Sequence, residues 1–528
     1  MSLPNVMSQH RRGWCGLCWL VVAMLLLPGG APVAAQTEPA AGDPLLAAVK
    51  PDQRDAIAAE TADALSRYKL VAELRLPEGD EPARVVGTLV LTYLNTTDQE
   101  LAGVPFRLYA NGPGGEAGGM TIDDAHVAGT AAAPVVNDDG TVATVPFATP
   151  LATGATTTIE LAFTAKVPVN SRDHYGIYNI DPQSGTWALA YWYPSIAGYD
   201  PDDGFLLDPP SRNGDPIFSD TALYDVTLTA PAGWRLATTG VAVEEIVDGS
   251  RQTQRIISGP VRDFAIVADS NFASVSEEVD GTTITSWFEP GDERAGEAVL
   301  TYAAQALALF NDLFGPYPYT ELDLTAVELF NAAGVEFPQL IYIGAGYYTP
   351  DSNLDVPNGL DFTVAHEVAH QWWYALVGNN QYQHAFIDEG LTQYVSSAVY
   401  FGRVYDNRAA GQTVVRYLHG PFEIAMRGDN DQVVDTPTDA FEDGGDYVFI
   451  AYSKGPIGFA AIHEEIGDDA FFAALSAYYR AFRFEVAQPE DLKRVFEEAS
   501  GENLDELWRH WFEAREGEDD LGALPGLR

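Results

Sequence analysis

Val364-Ala365-His366-Glu367-Val368-Ala369-His370-Gln371-Trp372-Trp373 places two imidazoles four residues apart in an apolar run. On a helix, side chains four apart lie on one face. His366 and His370 can therefore turn toward one cation, and Glu367 stands beside them, placed to take a proton from a metal-bound water. A site of this kind needs a third protein ligand and keeps a fourth position open. Eighteen residues separate His370 from Glu389, which lies in Phe386-Ile387-Asp388-Glu389-Gly390-Leu391-Thr392-Gln393-Tyr394, an apolar run that reads as a second helix. A lone buried glutamate is costly to keep ionised, and pairing with a divalent cation removes that cost. Glu389 is thus a better third ligand than His384, which reads as an ordinary surface or outlying histidine. Asp388 could orient a ligand from behind.

The His-Glu-x-x-His, eighteen residues, Glu spacing, flanked by Gln371-Trp372 and by Asp388 and Gly390, resembles the aminopeptidase N family of gluzincins, which includes the leukotriene hydrolase relatives. The likeness extends over most of the chain. Phe314-Gly315-Pro316-Tyr317-Pro318 is similar to the family's segment before its substrate-binding strand. Tyr191-Trp192-Tyr193-Pro194-Ser195 and Gly214-Asp215-Pro216 are similar to its N-terminal β domain in the shorter bacterial members.

That resemblance implies one zinc ion per chain on His366, His370 and Glu389, with Glu367 as the general base. It implies that Ala333-Gly334-Val335-Glu336-Phe337-Pro338 is the strand that binds the substrate's free amine. This stretch departs from the family pattern at Val335 and Phe337 but keeps Glu336, with Gly334 on the same strand. In Ala451-Tyr452-Ser453-Lys454-Gly455, Tyr452 takes the place of the family's oxyanion donor; Tyr447 lies close by in the sequence and could serve as a substrate contact. A second amine anchor, a Gln or Glu in the β domain, has no clean match before Pro194; Gln183 is the candidate. The implied reaction is removal of N-terminal residues from peptides. Two other readings stand beside it: a zinc endopeptidase with the same ligands, and a catalytically silent peptide-binding relative. The mark of the latter would be a missing ligand or a missing Glu367, and neither is missing.

Outward from the motif, periodicity divides the chain. Tyr68 to Leu74, Val86 to Tyr93, Thr157 to Phe163 and Leu223 to Ala230 alternate with period two, with turn signals at Asp138-Asp139-Gly140 and Pro231-Ala232-Gly233. A short amphipathic helix is expected over 53–66. From Glu293 to Phe314 apolar residues recur at helical spacing, and Gly315-Pro316 ends the run. Leu322 to Leu329 reads as a strand, and helices dominate from Leu360 to Phe512. The expected fold is α+β and multidomain: an antiparallel β-rich domain over 45–270, then a thermolysin-like, mainly helical zinc-peptidase domain over 271–528. The chain ends soon after Leu504 to Trp511, a segment similar to the end of the family's catalytic domain, so a more open site is expected.

At the N-terminus, Arg11 and Arg12 precede an apolar run from Trp14 to Leu27, Pro28-Gly29-Gly30 breaks it, and Val33-Ala34-Ala35 offers a cleavage site. Residues 1–35 read as a secretory signal and 36–44 as a linker; an uncleaved anchor is the alternative. Both cysteines, Cys15 and Cys18, fall inside the signal. The remainder has no disulfide and no thiolate metal site, which suits a bacterial exported protein. The formal net charge of −47 repels nucleic acid and anionic membranes. Peptides are the expected partners, with no stable membrane insertion after signal removal.

Overall fold

The computed structural model describes residues 43–525 except 63, 113–118, 202, 216–217, 350–351 and 442–443. The expected signal at 1–35 with Cys15 and Cys18, and nearly all of the linker at 36–44, lie outside the described residues. The short N-terminal helix is Arg54–Thr61.

Alternation builds the first large sheet. In the strand Ser66–Arg75, Tyr68, Leu70, Ala72 and Leu74 are buried while Lys69, Val71 and Arg75 face outward, the signature of a sheet with one wet face. This strand pairs antiparallel with Arg84–Leu94 and parallel with Ala222–Pro231. It occupies the middle of an eight-stranded sheet that runs from Val241–Asp248 at one edge to Thr130–Ala131 at the other. Two four-stranded sheets accompany it.

A five-stranded sheet follows, in the order Ala273–Val279, Thr282–Phe288, Glu321–Val327, Leu340–Gly344, Gly334–Phe337. The last of these is an edge strand, bonded among the described residues to Leu340–Gly344 alone and antiparallel to it. The helix Glu293–Leu313 buries Ala295, Val299, Tyr302, Ala306 and Phe310 on one stripe. It stops at Gly315, whose φ of +134° suits glycine, and where any side chain would meet the Tyr479 ring at 2.6 Å.

The remaining chain is helical. Gly359–Ala369 is buried on all sides from Leu360 onward, and its first turn is capped by the Asn358 side chain, which accepts from Asp361 N–H at 2.9 Å. Residues 386–404 form a continuous helix that opens with a π-helical turn, Phe386–Gly390. A further π-helical turn, Ile450–Lys454, leads into the helix Gly455–Ile466.

The expected boundary at 270/271 falls between Ile266–Asp269 and Ala273–Val279. Several contacts cross it. Lys50 N–H donates to Pro318 O and Thr320 N–H to Ala48 O, both at 2.8 Å. Arg262, 1% exposed, donates to the carbonyls of Tyr374 at 2.8 Å, Ser219 at 3.1 Å and Leu376 at 3.4 Å, and also to Glu485 O. Its guanidinium thus holds the loop that leaves the histidine helix. Among the described residues no helix is long and apolar enough to cross a membrane.

Candidate metal centre

The buried helix Gly359–Ala369 and its C-terminal residue His370 carry both imidazoles on one face. The π-helical turn Phe386–Gly390 brings Glu389 up to them; π turns widen a helix by one residue and are frequent at functional sites. His366 Nε2 and His370 Nε2 lie 3.2 Å apart, and Glu389 Oε2 is 3.2 Å from the first and 3.3 Å from the second. A tetrahedral zinc ion with bonds of about 2.0–2.1 Å spaces its donors about 3.3 Å apart. The triangle therefore has the size, and the two-nitrogen, one-carboxylate chemistry, that such an ion takes. Supporting contacts fix the donors. His370 Nδ1 lies 3.0 Å from Trp373 O, to which its N–H donates, leaving the Nε2 lone pair for the centre. Asp388 Oδ1 accepts the Glu389 N–H at 2.9 Å, and its Oδ2 accepts from Gln381 Nε2 at 2.7 Å.

Burial drives the Glu389 carboxyl upward, but hydrogen bonds and charge from His366 and His370 outweigh it and hold the group well below the usual carboxylate range. Glu367 lies outside the triangle, with a carboxylate oxygen grouped with those of Glu336 and His370 Nε2 within 4.8 Å. Burial pushes Glu367 up to about 8; His370 opposes, and Glu389 and Asp215 add to the rise. A cation at the triangle would favour its ionised form. Gly334, on the edge strand, packs directly against this carboxylate.

The Tyr452 hydroxyl, on the π-helical turn Ile450–Lys454, donates to Glu389 Oε1. Tyr447 lies one ring away, with centroids 5.7 Å apart. A cavity of about 730 Å³ joins these groups, with Gly334, Glu336, Glu367, Tyr447 and Tyr452 in its wall. Eight of the residues singled out in the sequence meet here: the three triangle donors and Glu367, Tyr452, Glu336, Gly334 and Tyr447. Gln183 does not. It is exposed on a tight turn, its N–H bonded to Asp181 Oδ1 at 3.1 Å. His384 points elsewhere, with Nδ1 2.5 Å from Asp435 Oδ1.

Sequence reading missed Asp215. It reaches the cavity wall from the strand-rich part of the chain, brings a carboxylate oxygen within 4.8 Å of those of Glu336 and Glu389, and accepts from Gln381 Nε2 at 2.5 Å. Burial raises its carboxyl to about 6, with Glu389 adding and His370 opposing. The Gly214-Asp215-Pro216 stretch, visible as a likeness to the β domain, was the available signal.

A histidine pair on one helix, a glutamate from the next and an unligated glutamate beside them make a donor set that suits zinc. Residues 299–511 match the profile of the Peptidase family M1 domain. It is 27% identical over 307 residues to Aminopeptidase M1-B of Oryza sativa subsp. japonica, covering 55% of this chain and 34% of that protein. It is 26% identical over 334 residues to the alanine/arginine aminopeptidase of Saccharomyces cerevisiae, covering 57% and 36%. The chain thus spans about a third of the length of these curated relatives. Its fold is that of an M1 zinc metallopeptidase from Deinococcus radiodurans, solved as a mutant, with a TM-score of 0.61 at 18% identity over 85% of this chain and 94% of that one. The same mutant bound to a Tyr-Ser-Ala substrate aligns with a TM-score of 0.60.

Proposed function

We propose that this protein is a zinc-dependent aminopeptidase that removes N-terminal residues from peptides. His366, His370 and Glu389 would hold the ion, which when bound supplies Lewis acidity toward water and the scissile carbonyl. Glu367 accepts the proton of the attacking water at its carboxylate and passes it to the leaving nitrogen. The Tyr452 hydroxyl, already directed into the centre, donates toward the carbonyl oxygen as charge builds there. The edge strand Gly334–Phe337 offers backbone groups to an extended peptide. Asp215 and Glu336 bind the free ammonium and set the first peptide bond over the triangle. We assign Asp215 to a β-rich domain over 45–270 and the remaining machinery to a catalytic domain over 271–528.

The single observation that carries the exopeptidase reading is the carboxylate pair Asp215–Glu336 in the wall of the cavity that holds the triangle. Two acids there favour a cation, and a peptide's N-terminus is one. The test is hydrolysis of free and N-acetylated peptides by the zinc-loaded protein. Equal rates on both would replace the aminopeptidase reading with an endopeptidase one.

We also infer export directed by residues 1–35, supported by the charged, apolar, small-residue order of that stretch. N-terminal sequencing of the protein recovered outside the cytoplasm checks it: a chain that still begins at Met1 argues for an anchor instead.

A further inference from the structure

We propose that Lys454 is a positioning residue for Tyr452: its buried ammonium ties the turn that carries the phenol to two other stretches of chain and so aims the hydroxyl into the cavity. The inference rests on the reading of Tyr452 as the donor toward the carbonyl oxygen. It does not depend on how the substrate's N-terminus is recognised.

Lys454 is the last residue of the π-helical turn Ile450–Lys454, two places after Tyr452. Residues two apart on a helix do not share a face, so the two side chains leave the turn in different directions. Tyr452 lines the cavity, whereas Lys454 points away from it and is 0% exposed. A lysine ammonium carries three donors and no acceptor, and here each donor meets an oxygen. Nζ donates to Asp431 Oδ1 at 2.6 Å, to Gln432 O at 2.9 Å and to Ala514 O at 2.8 Å. Asp431 extends the tie, because its Oδ2 accepts the Gly517 N–H at 2.8 Å. One side chain thus joins the Tyr452 turn, the loop at 431–432 and the C-terminal stretch 514–517.

The tie bears on chemistry because of what else holds the phenol. The Tyr452 hydroxyl donates to Glu389 Oε1, on a triangle donor, and has to give up that bond to reach a substrate carbonyl. From then on its place depends on the backbone beneath it. Helical turns of the π type are rare, and this one is held from outside the helix by a charge whose removal leaves three oxygens without their donor. A reacting group displaced by about 1 Å can cost about a hundredfold in rate.

The test is a double-mutant cycle on the zinc-loaded full chain, with whichever peptide it cleaves. Lys454→Met keeps the side-chain length and removes the donors; zinc content and thermal melting establish that it is folded. Its kcat is expected to fall about tenfold or more, with KM changed by less than about threefold. In the Tyr452→Phe background the same substitution is expected to lower kcat no further. A lysine that only steadies the fold would lower kcat by one factor in both backgrounds; that result, or an unaltered kcat in Lys454→Met, overturns the proposal. A crystal structure of Lys454→Met gives a readout apart from turnover: the Tyr452 hydroxyl should have left Glu389 Oε1 while His366, His370 and Glu389 keep their places, and an unmoved phenol overturns it as well. Should Lys454→Met not fold, Asp431→Ala takes its place in the cycle under the same rule, with an expected loss of about threefold or more that vanishes in Tyr452→Phe. Undiminished turnover in Tyr452→Phe alone would remove the donor role and this inference together, whereas a large loss there with an additive Lys454 effect removes the inference and leaves the donor role standing.

Discussion

A side-chain carbon added at Gly334 would stand 2.5 Å from Oε1 of Glu367 and 2.6 Å from its Cδ. The edge strand can lie this close to the general base only because position 334 has no side chain. Gly334→Ala is therefore expected to push the Glu367 carboxylate out of place, lowering kcat about tenfold or more, or ~1.4 kcal/mol in the barrier. Zinc content should stay at the unaltered level. Glu367→Gln should likewise retain zinc while losing about 10²–10⁴ in turnover. Metal analysis beside steady-state kinetics separates the two effects; a Gly334→Ala protein with normal kcat would mean that the strand gives way instead.

The Tyr452 hydroxyl donates to Glu389 Oε1, which places a phenol proton inside the centre. Tyr452→Phe is expected to lower kcat by about 10²–10³ with a smaller change in KM. A rise in KM alone would make Tyr452 a binding contact and not a transition-state donor.

Arg262 is a buried charge whose donors are met by carbonyls at Ser219, Tyr374, Leu376 and Glu485. Arg262→Ala leaves those carbonyls unpaired and is expected to cost about 3 kcal/mol or more. Because the loop after His370 hangs on this side chain, zinc affinity should fall as well. Thermal melting and zinc titration read the two effects, and an unchanged melting temperature would show that water replaces the guanidinium.

Asp263 accepts the Tyr374 hydroxyl on Oδ2, while its Oδ1 has no partner among the described residues. Burial pushes its carboxyl up to about 7, against the Tyr374 bond, with Asp215 adding to the rise. The unfolded value is about 3.9, so between these limits the native state holds a proton that the unfolded chain has lost. This contribution to stability is complete below the unfolded value and is lost as pH rises through about 7. Asp263→Asn should therefore flatten the decline in stability between about pH 4 and pH 7. Urea unfolding across that range measures it; an identical slope in the variant would assign the decline to other acids.

Much of this architecture can be read locally. The triangle follows from helical spacing, because His366 and His370 must share a face and Glu389 sits in the next apolar helix. The strand Ser66–Arg75 follows from period two, and the helix Glu293–Leu313 from its apolar stripe. Asp215 could not be found this way, since only the tertiary fold brings it to Glu336, more than a hundred residues along the chain. A search for a longer side chain before Pro194 led instead to Gln183, which ends on an exposed turn. The π-helical turns at Phe386–Gly390 and Ile450–Lys454 were equally silent, because one extra residue per turn leaves the apolar pattern intact while redirecting Glu389 and Tyr452. Arg262 gave no sign of its role: a single basic residue at a strand end acquires meaning only from the carbonyls that surround it.

The pairing of residues 48–50 with 318–320 has a consequence for biogenesis. As the chain leaves the ribosome, residues 48–50 must wait for some 270 later residues before these pairing partners appear. Ser66–Arg75 must likewise wait for Ala222–Pro231 to arrive alongside it. A nascent chain halted near residue 270 would hold the second seam closed and leave the first open, so splitting the gene at that point should yield an N-terminal product of poor solubility.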